Sequence, residues 1–494
     1  MKKYFFALLI VVAGVMPATA QSGNESFDEF RKSIKREYNS FRKGVLDGYA
    51  DFLDGVWKEY NAFKANERYS TPKPTTPPVA DDNTPIVAAP LPDYAGEESP
   101  IAEERVDDTP SMPTPPAPDA TPQPVAPKQV EKRSYNYHSL AFEVAKVEWA
   151  ALPQGVAPKD FAQLWKAYSA LKVEKVVLPV LLGVASDCHL NDWLFCECLR
   201  SYVDSEMSGM TPGQRLSLTH YLLSHAGYDV RIGLTSENTP LLMLALKQNV
   251  YSRGFVTINN TKYYIFFDNL DRGSQKAPFK FSTCDIPTDV DCGRGLDLVI
   301  RESLQIPYKG HKYAFSYGGI NIEGEVNANI IPMLHHYPQM DVGCYAQSVV
   351  SQSTEENVAK QIAAQLTSYS KLEAVNRLLQ FVQSAFSYAT DDEQHGFEKP
   401  YFFEEMLYYP DCDCEDRSIF YSYLLKRVLD VENHLIMYPG HESVAVYLGS
   451  RIEGAGYVYD NKNFYISDPT YIGAVTGMCM PDYMGQMPKI DYKR

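Results

Sequence analysis

Apolar positions change their period several times along this chain, and each change marks an element. From Phe27 to Phe63 a stripe recurs every eleven residues: Phe27, Tyr38, Tyr49 and Tyr60; Phe30, Phe41, Phe52 and Phe63; Ile34, Val45 and Val56. Its 3-4-4 spacing stays on one face of a nearly straight helix and predicts an amphipathic helix over 25–66. Within 140–205, FAQLWKAYSALKV and LNDWLFCECLRSYV carry helical spacing. LDLVIRESL, YAFSYGG and INIEGEVNANI alternate, so 296–353 reads as a β-rich segment. Helical spacing returns over 354–386, with Ile362 and Leu366, then Val375, Leu378, Leu379 and Val382. The C-terminal part predicts a helix through Ile419, Phe420, Tyr423, Leu424 and Val428. Strands through Val444, Val446 and Leu448 and through FYIS follow, so the predicted class is α+β.

Composition divides the chain further. Residues 67–133 hold sixteen of the 33 prolines and cannot bury a core, which predicts a disordered linker. Met1–Ala20, with Lys2 and Lys3 before an apolar run and Ala18-Thr-Ala20 after it, reads as a cleavable export signal. The expectation is a periplasmic, surface or secreted protein. A net charge of -16 argues against a nucleic-acid surface. Nine cysteines in 494 residues are too few for a disulfide scaffold. Cys188, Cys196, Cys198, Cys284 and Cys292 read as buried thiols or disulfides. The stripe over 27–63 fits packing on the main body, self-association of a coiled-coil kind or contact with an envelope surface.

Two cysteines stand together in Asp411-Cys-Asp-Cys-Glu-Asp-Arg-Ser418, directly before a helical pattern. Asp413 is a good N-cap, and Glu415 and Asp416 are first-turn acids, so Cys414 falls in the first turn. Free N–H groups there favour a thiolate, while the flanking carboxylates oppose it. His441 opens an alternating strand 27 residues on, and Asp468 closes another after a further 27. Nucleophile, base and orienting acid form a plausible set for acyl chemistry. The same cluster admits other readings: a zinc site from Cys412, Cys414, Cys479 and His434 or His441, or a structural disulfide.

Cysteine opening a helix in C-E-D-R, histidine opening a strand and aspartate in strand-D-P-T resemble the transglutaminase-like superfamily over about 370–475. The resemblance implies Cys414 as nucleophile, His441 as base and Asp468 as orienter, with no metal or cofactor. It implies a peptide or protein substrate and a thioester resolved by water, or by an amine in cross-linking. Gln394 stands as the oxyanion candidate beside the Cys414 backbone N–H. The glycine common near the family's cysteine is missing, and Cys412 is an unusual neighbour. The rival expectation is an envelope or assembly protein using the fold as a scaffold.

A second match lies upstream. At an offset of 202 residues Arg215 corresponds to Arg417, Tyr221-Leu222-Leu223 to Tyr423-Leu424-Leu425, and Gly254-Phe255-Val256 to Gly456-Tyr457-Val458. Residues 134–295 therefore read as a degenerate copy of 354–494, with Pro212, Thr239 and a phenylalanine at the three catalytic positions.

Overall fold

The computed structural model describes residues 58–61, 74–81, 86, 90–99, 131–251, 253–266, 280–283, 290–335 and 337–494. All of them belong to one unit, Leu53–Arg494. The leader, the stripe up to residue 57 and residues 100–130 lie outside the described residues. Among the described residues no helix is long and apolar enough to cross a membrane.

Lys58–Asn61 is a strand, β1, where the repeat predicts the end of a helix. It pairs antiparallel with Lys280–Thr283, whose open edge it covers. Gly55, just before it, is a poor helix former. A hairpin follows, β2 (Lys132–Tyr137) and β3 (Leu140–Ala145), burying alternate residues of β3. Four helices come next: α1 (Pro158–Leu171), α2 (Val173–Asp187), α3 (Asp192–Glu206) and α4 (Pro212–His225). Thr211 and Gln214 form a reciprocal cap that starts α4. Strands β4 (Val230–Thr235), β5 (Pro240–Ala245), β6 (Phe255–Ile258), β7 (Thr261–Phe266) and β8 (Lys280–Thr283) complete a sheet ordered β1-β8-β4-β5-β7-β6.

Only part of the β-rich expectation over 296–353 holds. Gly310–Tyr317 (β9) and Ile320–Asn327 (β10) form a hairpin turning at Gly318 and Gly319, whose φ of 60° and 87° suit glycine. Ile331–His335 (α5) and Val342–Gln347 (α6) are short helices. LDLVIRESL is not a strand, because side chains take its backbone donors: the N–H groups of Asp297, Leu298 and Ile300 donate to Asp192, Gln248 and Ser348.

The C-terminal part runs α7 (Gln352–Leu366), α8 (Lys371–Ala385), β11 (Ser387–Tyr388), α9 (Asp391–Gln394), α10 (Phe403–Tyr408), β12 (Asp411–Cys412) and α11 (Cys414–Leu429). Its sheet holds β13 (Asn433–Tyr438), β14 (His441–Tyr447), β15 (Gly456–Tyr459), β16 (Lys462–Ile466) and β17 (Lys489–Lys493), ordered β15-β16-β14-β13-β17. In α4–β8 and in α11–β17 alike, one helix precedes five strands. The first strand pairs with the second and fifth, the second with the fourth, and the fourth with the third. Helix α11 packs on β13 and β14. A separate apolar cluster includes Ile436, Tyr438, Ala445, Tyr457, Phe464 and Ile466 from the sheet.

Parts of the proline-rich stretch lie against this domain. Asp93 pairs with Val458 on one edge strand and Glu98 with Ile490 on the other, so 92–99 joins the two edges of the sheet. The ring of Tyr94 packs 5.0 Å from Tyr457 and 5.7 Å from Tyr459. Proline-rich chain is already extended and rich in acceptors, so it suits the unpaired donors of a sheet edge.

Candidate active site

Helix α11 opens at Asp413, whose backbone N–H donates to Asp416 Oδ2 at 3.1 Å. Cys414 is thus the first helical residue, with its side chain buried. His441 begins β14 directly after Gly440, whose φ of 75° makes the tight turn from β13. Asp468 follows β16, and the N–H of Thr470 donates to its Oδ1 at 2.9 Å. The far side of that carboxylate, Oδ2, lies 2.8 Å from His441 Nε2. Both side chains are essentially sealed from solvent, at 0% and 2% exposure. Ser418, one turn along α11 from Cys414, donates to the carbonyl of Glu442 at 3.1 Å and locks the helix to the histidine strand. The Glu442 backbone reaches the Cys414 thiol itself, so helix start and strand start meet.

The imidazole is held by one nitrogen only. A proton on Nε2 directed at Asp468 leaves Nδ1 as the basic nitrogen. Nδ1 is buried without a hydrogen-bond partner. The thiol is turned elsewhere, with Cys414 Sγ donating to Glu415 Oε2 at 3.0 Å. Burial, then the charges of Glu415 and Asp413, push this thiol well above the usual cysteine range. The site as folded holds a protonated thiol.

Glu415, which accepts from that thiol, sits among four further carboxyl groups: Asp391, Glu398, Asp413 and Asp416. Burial pushes Asp413 and Asp416 up, and the charge of Glu415 adds to it. Burial and Glu415 likewise push Glu398 up to about 12. Asp391 rises through burial and through Asp416. Glu415 goes the other way: burial opposes its ionisation, but hydrogen bonds from Glu398, Cys414 and Asp413 outweigh that and hold it below the usual range. The cluster thus keeps its negative charge on Glu415 and protons on its neighbours. Counted as carboxylates, both Asp413 oxygens lack a donor, and a proton converts that deficit into a bond to Glu415. The same atoms are the metal-capable ones. Ligand atoms of Asp391, Glu398 and Glu415 lie within 4.8 Å of one another, as do those of Asp413, Cys414 and Glu415.

The zinc set read from sequence does not gather. Cys412 Sγ donates to the Ser387 carbonyl at 3.3 Å and accepts from Arg417 Nε at 3.4 Å. His434 bonds the Tyr457 hydroxyl at 2.9 Å and stacks 3.9 Å from Phe464. Cys412 and Cys414 are both free thiols rather than a disulfide. Gln394 is committed away from the thiol: its amide donates to Ala389 O at 3.1 Å, and its carbonyl accepts from the Tyr401 hydroxyl at 3.2 Å.

Three residues that sequence reasoning passed over, and Arg417 of the C-E-D-R motif, shape the site. Gln383, buried on α8, donates to the carbonyls of Asp468, Tyr471 and Ala474 at 3.0, 2.7 and 3.1 Å. Its own carbonyl accepts from Gly473 at 3.1 Å. Arg417 donates to the carbonyls of Gln383 and Phe386, which ties α11 to α8. Tyr483 stacks on His441 at 5.3 Å and 5°, and Tyr388 pairs in register with Cys412. Of those three, Gln383 alone left a trace, a polar residue beside the apolar stripe of α8.

At the corresponding positions of the first half, Pro212 and Thr239 are exposed; of the two phenylalanines at 266–267, the sheet register matches 267 to Asp468, and that residue lies outside the described residues. No protein-family model matches the chain, and no curated protein matches it.

Proposed function

We propose that this protein is an exported cysteine-dependent amide hydrolase, acting on a peptide or protein through a Cys414-His441-Asp468 triad. The observation that carries the reading is the buried 2.8 Å pair of His441 Nε2 and Asp468 Oδ2, with Nδ1 buried and without a hydrogen-bond partner. Once the thiol turns from Glu415, Nδ1 takes its proton and sulfur attacks the amide carbonyl carbon. The oxyanion that forms accepts from backbone N–H at the helix start. The imidazolium returns the proton to the leaving amine, the C–N bond breaks, and a thioester remains. Water, deprotonated by His441, attacks the thioester; a carboxylic acid leaves and the Cys414 thiol is restored. Asp468 stabilises the imidazolium and fixes its tautomer throughout. Hydrolysis is preferred to lysine cross-linking on the resemblance to transglutaminase-like proteins alone. The leader-like Met1–Ala20 supports export, and the stripe over 27–63 supports self-association or envelope contact.

A second reading is a scaffold that catalyses nothing. The thiol's bond to Glu415 and its raised pKa favour it. Peptide hydrolysis lost in both Cys414→Ala and His441→Ala, with circular dichroism unchanged, supports the enzyme. A wild-type chain as inactive as both variants on a broad peptide library rejects it.

A further inference from the structure

The sequence Pro74-Thr-Thr-Pro-Pro-Val-Ala80 is fastened on both sides of the candidate site. At its start the Tyr388 hydroxyl donates to the Pro74 carbonyl at 2.5 Å. Tyr388 pairs in register with Cys412, two residues before Cys414. At its end Ala80 N–H donates to the Ile472 carbonyl at 2.8 Å, and Ile472 N–H donates to the Pro78 carbonyl at 2.9 Å. This is one rung of parallel strand pairing. Ala80 also packs with Tyr483 on the cluster of Tyr471, Ala474 and Met480, and Tyr483 is the ring stacked on His441. Seven extended residues reach about 20 Å.

The manner of attachment is that of a bound peptide. Contacts run through main-chain atoms: a carbonyl on a phenolic donor, then a carbonyl and an N–H two residues apart on one loop residue, Ile472. The side chain of Val79 points out, at 72% exposure, while Pro78 and Ala80 are half-buried. Pro77 and Pro78 lack N–H groups, so nothing there is left undonated against the cleft wall. Further along, Pro90, Leu91 and Pro92 help wall a cavity of about 270 Å³ that also borders Tyr438, Cys479 and Tyr483.

We propose that residues 74–80 occupy, in cis, a binding site for an extended peptide, and that this occupancy holds the Cys414 site closed. The ligand class is an unfolded, proline-tolerant peptide segment that presents its carbonyl to Tyr388 and pairs with Ile472. The proposal rests on the amide-hydrolase reading for the fate of that peptide, but not for its binding.

The test uses the full chain and alkylation of Cys414 by iodoacetamide at pH 8, followed by peptide mass spectrometry. Ala80→Pro removes the N–H that Ile472 accepts from and puts a ring carbon against that carbonyl. Cys414 should then alkylate on the order of tenfold faster, while half-buried Cys188, remote from the segment, alkylates at its wild-type rate. Tyr388→Phe, which frees Pro74, should act in the same direction. A synthetic PTTPPVA peptide added in millimolar amounts to Ala80→Pro should slow Cys414 alkylation again. Unchanged Cys414 rates in both variants overturn the closure, and a failure of the peptide to protect overturns the peptide site. Fast alkylation with protection by peptide, yet no cleavage of any peptide, upholds this proposal and sinks the hydrolase reading instead.

Discussion

Gln383 is the residue through which the position of Asp468 is set, and Gln383→Met tests that. Methionine matches the volume and removes every polar atom. Four hydrogen bonds go, to Asp468, Tyr471, Ala474 and Gly473. Each is worth about 1 kcal/mol net, and three buried carbonyls lose a donor, so the local loss is about 3–5 kcal/mol. Tryptophan fluorescence cannot read this, because all four tryptophans lie at or before Trp193. Hydrogen exchange of residues 468–476 can. Protection there should fall by about 10²–10³, since about 1.4 kcal/mol is a factor of ten, while β4 and β5 keep theirs. Activity should fall with it, because a loosened Asp468 no longer fixes the imidazole. Protection of 468–476 within twofold of wild type would refute the claim that Gln383 holds this loop.

Further outcomes follow from individual contacts. Asp468→Asn should fold normally and lower kcat by about 10²–10⁴, because an amide cannot stabilise the imidazolium; a loss below fivefold counts against the triad. Cys412→Ala should keep activity within a few-fold and cost roughly 1–2 kcal/mol in urea unfolding, unlike Cys414→Ala, which should be inactive but stable. Glu415→Gln removes the nearest charge raising the Cys414 thiol, so the pH profile of its alkylation should move to lower pH; a profile that stays put or moves up contradicts the assignment. Burial pushes Glu355 up from 4.5 to about 7. The folded chain therefore keeps a proton that the unfolded chain has lost between those values, and stability falls as pH rises through that window, by roughly 3 kcal/mol in all. Glu355→Gln should shrink the difference in urea midpoint between pH 5 and pH 8. An unchanged difference would show that Glu355 does not carry it.

What could be read from the sequence was what is local. Asp413 as N-cap, two acids in the first turn and a helical stripe behind them are contiguous, so the placement of Cys414 followed from spacing. His441 and Asp468 were visible because each sits at a strand end marked by Gly440 or Pro469. Partners fixed by tertiary contact were not. Gln394 looked apt as a polar residue upstream, but Tyr401 and Ala389 claim its amide. LDLVIRESL alternated like a strand, yet Asp192, Gln248 and Ser348 took its donors. The proline-rich stretch has no periodicity to reveal that 74–80 and 92–99 find donors on a folded domain. Cys412 had no explanation in sequence because Ser387 and Arg417, which hold it, approach from other elements.

The two halves of the molecule supply a comparison from within. Both run from one helix into five strands paired in the same order. At the position of Cys414 the first half carries an exposed Pro212. That half shows that the helix and sheet can pack with a proline in place of the thiol at the helix start. In the second half the same frame encloses His441, Asp468 and five further carboxyl groups, each with a desolvation cost that apolar packing would avoid. The buried carboxyls also push the neighbouring thiol toward its inert form, so they do not make a better nucleophile at rest. An arrangement that costs stability and restrains reactivity at once, under a segment fastened across it, has the character of a site kept latent until the loss of residues 74–80 opens it.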